Sequence, residues 1–84
     1  MPAPQFNSFD EFRLFISDTL GVAEEALTPE AHFLFDLGIE SLKLVELMLA
    51  LERRLGQKIP LDAAWQIETI GDAYRFYREQ LPGG

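Results

Sequence analysis

Three sets of side chains in this 84-residue chain are of a type that does chemistry: Ser41 directly after Glu40, the lone His32, and the adjacent pair Glu24 and Glu25. A serine nucleophile needs a base held within hydrogen-bonding reach, and no motif ties His32 to Ser41. No catalytic residue is therefore assigned, and His32 reads as a solvated or partly packed loop residue. Paired carboxylates do acid–base work where an enclosed pocket moves their pKa values, and so short a chain is not expected to enclose a deep one. The absence of cysteine excludes disulfides, thiolate metal sites and nucleophilic thiols, and a single histidine does not make a zinc site without a carboxylate-rich partner set. No metal site is expected. Ser41 remains, with two readings that local rules leave open: a hydroxyl that caps or opens a helix, or a hydroxyl that carries something.

The elements that would position Ser41 follow from periodicity. "NSFDEFRLFISDTLG" predicts a helix over 9–20, with Ser8 and Glu11 as a capping box, Phe9, Phe12, Ile16 and Leu20 at helical spacing, and Gly21 ending it. From Val22 to Glu40 the period is lost. This is read as a long ordered loop with a helical turn at residues 29 to 32, and loops of that length in compact domains tend to be functional. A second helix is expected from Ser41 to Leu55, closed by Gly56, with Arg53 and Arg54 in the last turn where the dipole favours cations. "LDAAWQI" has the length of one or two helical turns. Thr69 with Asp72 then caps a final helix to about Gln80, with Ile70, Ala73, Tyr74 and Tyr77 along one side. No alternating strand pattern and no repeat is present. The expected fold is all-α: a small four-helix bundle of three longer helices and one short one, a single domain spanning residues 1–84 and packed over about 8–81, with flexible ends.

On a helical wheel the 41–55 segment shows two apolar stripes. Leu44, Leu47, Met48, Leu51 and Leu55 make a continuous face of the kind that packs on a core. Leu42, Val45 and Leu49 lie nearly opposite, edged by Glu46, Glu52 and Arg53. Either the helix is surrounded and both stripes are buried, or the second stripe is exposed and serves as a docking surface. Trp65 is open in the same way, between core and contact surface, and Phe33 and Phe35 raise the same question on the loop.

Composition narrows the function. The net charge of −7 opposes nucleic-acid binding, which depends on lysine and arginine. The charge is uneven: residues 36–58 balance four acids against four bases, whereas the flanks are acidic. No apolar run reaches the roughly 20 residues that span a bilayer, and the N-terminal segment has no basic-then-apolar signal pattern. The expectation is a monomeric cytoplasmic protein with no membrane partner.

These residues resemble a known family. Asp36-Leu37-Gly38, Glu40-Ser41-Leu42, Val45-Glu46-Leu47, Leu51-Glu52, Leu55 and Ile59-Pro60 stand where acyl carrier proteins have Asp-Leu-Gly-x-Asp-Ser-Leu, Val-Glu-Leu, Leu-Glu, a large apolar residue and Ile-Pro. The likeness covers roughly residues 8 to 81. It implies that a phosphopantetheinyl transferase attaches 4′-phosphopantetheine from coenzyme A to Ser41, with Asp36, Gly38, Glu40 and Leu42 around the cofactor. It further implies that the arm's thiol holds an acyl group as a thioester. Acyl-loading and acyl-transfer enzymes would dock on Ile39, Leu42, Val45, Glu46, Leu49, Glu52, Arg53 and Trp65, and the first stripe would line the core and a space for the acyl chain. Such a protein is a carrier and not an enzyme. Two departures stand out: Glu40 replaces the usual Asp, and Lys43, Arg53 and Arg54 make the central helix neutral. The first bears on which transferase performs the modification, and the second points to a specialised lipid or secondary-metabolite pathway. An aminoacyl or peptidyl carrier is the neighbouring alternative, and an unmodified helical interaction module with Ser41 as a cap is the alternative from another class. The terminal "PGG" is similar to the ends of ubiquitin-like sulfur carriers, but those folds need strands, so it reads as a tail.

Overall fold

The computed structural model describes residues 6 to 80. It contains α1 (Phe9–Leu20), α2 (Ser41–Leu55) and α3 (Ile70–Gln80), with 3₁₀ turns at Glu24–Ala26 and Leu61–Gln66. This is the expected all-α architecture of three longer helices and a short one, the short one being the 3₁₀ segment ahead of α3. Among the described residues the extended pairing is limited to one antiparallel bridge, His32 with Thr69. The expectations for the flexible ends and the "PGG" tail lie outside the described residues.

Local chemistry explains why α1 and α3 start where they do. In α1 the Ser8 hydroxyl accepts from the Glu11 amide (3.2 Å), and the Glu11 carboxylate reaches back to the Asn7 amide (3.1 Å). In α3 the Thr69 hydroxyl accepts from the Asp72 amide (3.0 Å), while the Asp72 carboxylate accepts from the amides of Thr69 and Glu68 (both 3.2 Å). Both are reciprocal caps, which satisfy helix-start donors that otherwise have no partner.

The core gathers one face from each helix. Phe12, Ile16, Leu27, Phe33 and Ile70 are completely or almost completely buried. Leu47, Met48, Leu51 and Leu55 of the first α2 stripe are buried with them, and Leu44 packs at the edge. Packing starts earlier than the expected residue 8. Phe6 is in the core, its ring edge-on to Phe12 and Tyr77 (centroids 5.3 Å in each case), and the Tyr77 hydroxyl accepts from the Phe6 amide at 2.6 Å. The Arg54 guanidinium covers the same ring at 4.7 Å from its centroid, the usual geometry of a cation over an aromatic face.

The long loop between α1 and α2 departs from expectation: it carries the 3₁₀ turn at Glu24–Ala26, and it folds differently at residues 29 to 32. Instead of a helical turn at residues 29 to 32, the chain makes a tight turn closed by the Ala31 amide on the Thr28 carbonyl (3.1 Å) and then pairs with the start of α3. The Pro29 carbonyl accepts from Gly71 (2.8 Å), the Ala31 carbonyl from Ile70 (3.0 Å), and the Phe33 amide donates to Glu68 (2.9 Å). Carbonyls committed to α3 are not available to a local helix. The approach is close enough to dictate a residue: a Cβ on Gly71 would stand 2.8 Å from the Pro29 carbonyl oxygen.

Gly71→Ala tests this packing. Alanine in a helix normally gains about 0.5–1 kcal/mol over glycine, but overpacking costs about 1–3 kcal/mol. A net loss of about 1 kcal/mol is expected in urea unfolding; an increase in stability would show that the loop does not bear on α3.

Candidate functional site

The site is built around the junction of the loop with α2. After the α3-paired segment, residues 33–37 form a single turn whose start is capped by an unusual residue. Nδ1 of His32 accepts from the amides of both Leu34 and Phe35 (3.1 Å each), and the Asp36 carboxylate accepts from the His32 amide at 2.7 Å. This is a reciprocal cap with histidine in the place of serine. Its ring stacks on Phe35, centroids 4.3 Å apart. Gly38 ends the turn at φ +68°, donating its amide to the Leu34 carbonyl (3.0 Å). That left-handed conformation strains residues with a Cβ. The Ile39 amide then bonds the Phe33 carbonyl at 2.7 Å, which points the chain into α2.

Glu40 is the N-cap residue of α2 and Ser41 its first helical residue. The capping alternative for Ser41 is thereby answered: the residue occupying the cap is Glu40, and its side chain makes no cap hydrogen bond. The first intrahelical bond runs from the Leu44 amide to the Glu40 carbonyl (3.1 Å). The amides of Ser41, Leu42 and Lys43 lie ahead of it, and helix geometry gives such amides no partner within the helix. Ser41 is exposed, and no hydrogen bond of its hydroxyl occurs among the described residues. Of the three helices, α2 alone begins without a side-chain cap.

Several expected site residues make contacts within the fold. The Asp36 carboxylate fastens the loop through the His32 amide. Ile39, expected to dock partners, is only 8% exposed; it takes the N′ position opposite Leu44 at N4, the pairing known as a hydrophobic staple. Glu52, also expected on the docking face, accepts from the Ile59 amide at 2.7 Å and so holds the segment that follows α2. These contacts were not legible for one reason: a helical wheel shows which face a residue occupies, not which distant amide its side chain reaches. The remaining second stripe is open, with Leu42 at 70% and Leu49 at 50% exposure and Val45 half-buried. Lys43 and Glu46 pair on it at 3.5 Å, and Arg53 is exposed at its far end. Trp65 is 79% exposed, because its neighbour Ala63 takes the buried side of the 3₁₀ segment. On the loop, Phe33 is buried and Phe35 exposed.

A surface depression of about 370 Å³ lies beside Ser41. Phe33, Ile39, Leu44 and Ile67 give it apolar walls, and His32, Glu40 and Glu68 supply its ionisable groups. The crease along the first stripe between α2 and α3 is a different matter. Its cavity volume is about 30 Å³, close to one water molecule, while benzene needs a cavity of about 150 Å³. The space for an acyl chain expected along that stripe is closed in this conformation. Ile67 and the capping role of His32 were not foreseen. A His-x-x-x-Asp spacing before a glycine carries the second in the sequence, but histidine is not a usual cap; nothing in the sequence carries the first.

Among the described residues no cluster of three or more His, Asp or Glu is arranged for a metal ion, and no helix is long and apolar enough to cross a membrane. The family model described as the phosphopantetheine attachment site matches residues 10–77, which includes the loop, α2 and all but the end of α3.

The loop cap is directly testable. Removing the Asp36 carboxylate with Asp36→Ala takes away one hydrogen bond, about 1 kcal/mol. Amide hydrogen exchange across residues 33–39 is expected to accelerate roughly fivefold while that of α1 is unchanged.

Proposed function

The chain belongs to the phosphopantetheine-attachment family, and on that premise we propose that Ser41 is the residue that bears the group and that the protein presents acyl thioesters to soluble enzymes of a specialised pathway in the cytosol. Members of the family carry 4′-phosphopantetheine covalently and are carriers, not catalysts. When bound, the group supplies a terminal thiol that holds cargo as a thioester, the one chemical function a cysteine-free chain lacks.

The observation that carries the assignment is the state of Ser41. Its hydroxyl is exposed and uncommitted, on the first residue of a helix whose leading amides have no cap. A phosphodiester formed there meets those amides and the positive end of the helix dipole, a contribution of about 0.3–1 kcal/mol at an exposed site. The hydrophobic staple of Ile39 and Leu44 fixes the direction in which the helix starts, so the hydroxyl is held rigidly while staying open to a transferase. Glu40 keeps a carboxylate next to the attachment point, one methylene further out than aspartate. The Asp36-Leu37-Gly38 entry and Val45-Glu46-Leu47 favour an acyl cargo over an aminoacyl or peptidyl one.

Leu42, Val45 and Leu49, with Trp65 as a separate contact, form the proposed docking face for the transferase and for the acyl-loading and acyl-transfer enzymes. The face is apolar and its Lys43–Glu46 pair cancels locally. Recognition by apolar contact, with weak electrostatic steering, follows from that composition.

Two measurements check the reading. Incubation with coenzyme A and a broad-specificity transferase should raise the intact mass by one phosphopantetheine, and Ser41→Ala should abolish the gain; no gain in the unmutated protein rejects the assignment. Leu49→Asp should slow acyl transfer by a cognate enzyme at least tenfold, with the helical circular dichroism unchanged. Unaltered transfer would remove the stripe from the docking face.

A further inference from the structure

The polar group that the depression beside Ser41 offers is a proton donor of fixed position. Nδ1 of His32 accepts two backbone amides, from Leu34 and Phe35. A neutral imidazole carries one proton, so with Nδ1 acting as the acceptor the proton resides on Nε2. The ring has little freedom to turn: its own backbone amide is held by Asp36, and its face is stacked on Phe35. The Glu68 carboxylate stands 3.7 Å from Nε2, beyond hydrogen-bonding distance, and the His32 side chain is 23% exposed. A donor is thus set into the wall of an apolar depression without a bonded acceptor.

The surroundings define what accepts from it. Glu40 and Glu68 stand at the same depression, and both repel an anion. Apolar walls on Phe33, Ile39, Leu44 and Ile67 favour a group with hydrocarbon on it. The ligand class is therefore uncharged, largely apolar and equipped with a carbonyl. The phosphopantetheine arm has such a stretch, a gem-dimethyl carbon, a hydroxyl-bearing carbon and then an amide, just beyond its phosphodiester. At about 370 Å³ the depression is within the roughly 300–1,000 Å³ typical of ligand pockets. A tethered group also faces it at an effective concentration in the millimolar range, so even a weak contact is occupied.

We propose that the depression seats the uncharged stretch of the arm, with Nε2–H of His32 donating to an amide carbonyl of the arm. This rests on Ser41 being the attachment point. In this arrangement His32 does two things at once: one ring nitrogen shapes the loop and the other binds the arm, so the loop that sets the direction of α2 also sets the resting place of the cofactor. The arm lies on the loop side of α2, outside the closed crease between α2 and α3, and its thiol end remains free for partner enzymes.

The experiment is nuclear magnetic resonance on the fully modified protein, its modification established by intact mass on the same sample. Nuclear Overhauser contacts from the gem-dimethyl protons of the arm to the His32 ring and the Ile67 methyls are expected, along with a downfield shift of the His32 Nε2-bound proton relative to the unmodified protein. His32→Asn keeps a side-chain acceptor for the Leu34 and Phe35 amides and removes the Nε2 donor. In that variant the gem-dimethyl resonances should move back to their positions in free pantetheine, with the amide shifts of Leu34 and Phe35 retained. Complete modification with arm resonances already at the free positions and no contact to His32 overturns the proposal while leaving Ser41 as the attachment point. A protein that gains no mass overturns both.

Discussion

Three backbone hydrogen bonds between the long loop and the start of α3, from Gly71 to Pro29, from Ile70 to Ala31 and from Phe33 to Glu68, hold the molecule's functional end together. They join segments 35 to 42 residues apart in sequence, and two of them use α3 amides that would otherwise need other partners. With residues 29–33 fixed in this way, Phe33 is driven into the core and His32 is left at the surface with its ring able to cap the next turn. Gly38 then reverses the chain and Ile39 inserts beside Leu44. The position of Ser41 is the last consequence in that sequence, so a serine on an exposed helix end is fixed by a structure assembled behind it.

The second constraint is the division of α2 into two faces. Burying Leu47, Met48, Leu51 and Leu55 leaves Leu42 and Leu49 on the solvent side of the same helix. A free energy penalty attends that exposure, since apolar area left in water forgoes about 25 cal/mol per Å². In the proposed function that area is covered only when a partner arrives. The opposed charges of Lys43 and Glu46 keep the face close to neutral and leave its recognition to shape and apolar area.

Much of this architecture is legible in the order of residues. Ser8 with Glu11 and Thr69 with Asp72 mark two helix starts, and Gly21 and Gly56 mark two ends, because capping involves residues within one turn of each other. The spacing of Leu44, Leu47, Met48, Leu51 and Leu55 reveals the core face of α2 for the same reason. The loop was harder. Its turn at residues 28–31 and its pairing with α3 depend on hydrogen bonds to residues far along the chain, and Pro29 alone does not reveal them. Ile39 and Glu52 look like surface residues on a wheel, yet one is a core staple and the other binds the Ile59 amide. Phe6 lies outside any helix, and its burial depends on Tyr77 and Arg54.

The sequence by itself determined the helices, their caps, the two stripes of α2 and the family frame around Ser41, all of which rest on interactions within a few residues or on a run of placed residues. Whether Ser41 is a cap or a free hydroxyl, whether the second stripe is covered, and which ring nitrogen of His32 is available were decided only by the tertiary structure. Each of those depends on what the rest of the chain places within about 3 Å of a given atom, the range over which a hydrogen bond forms, and a residue order does not encode that distance locally.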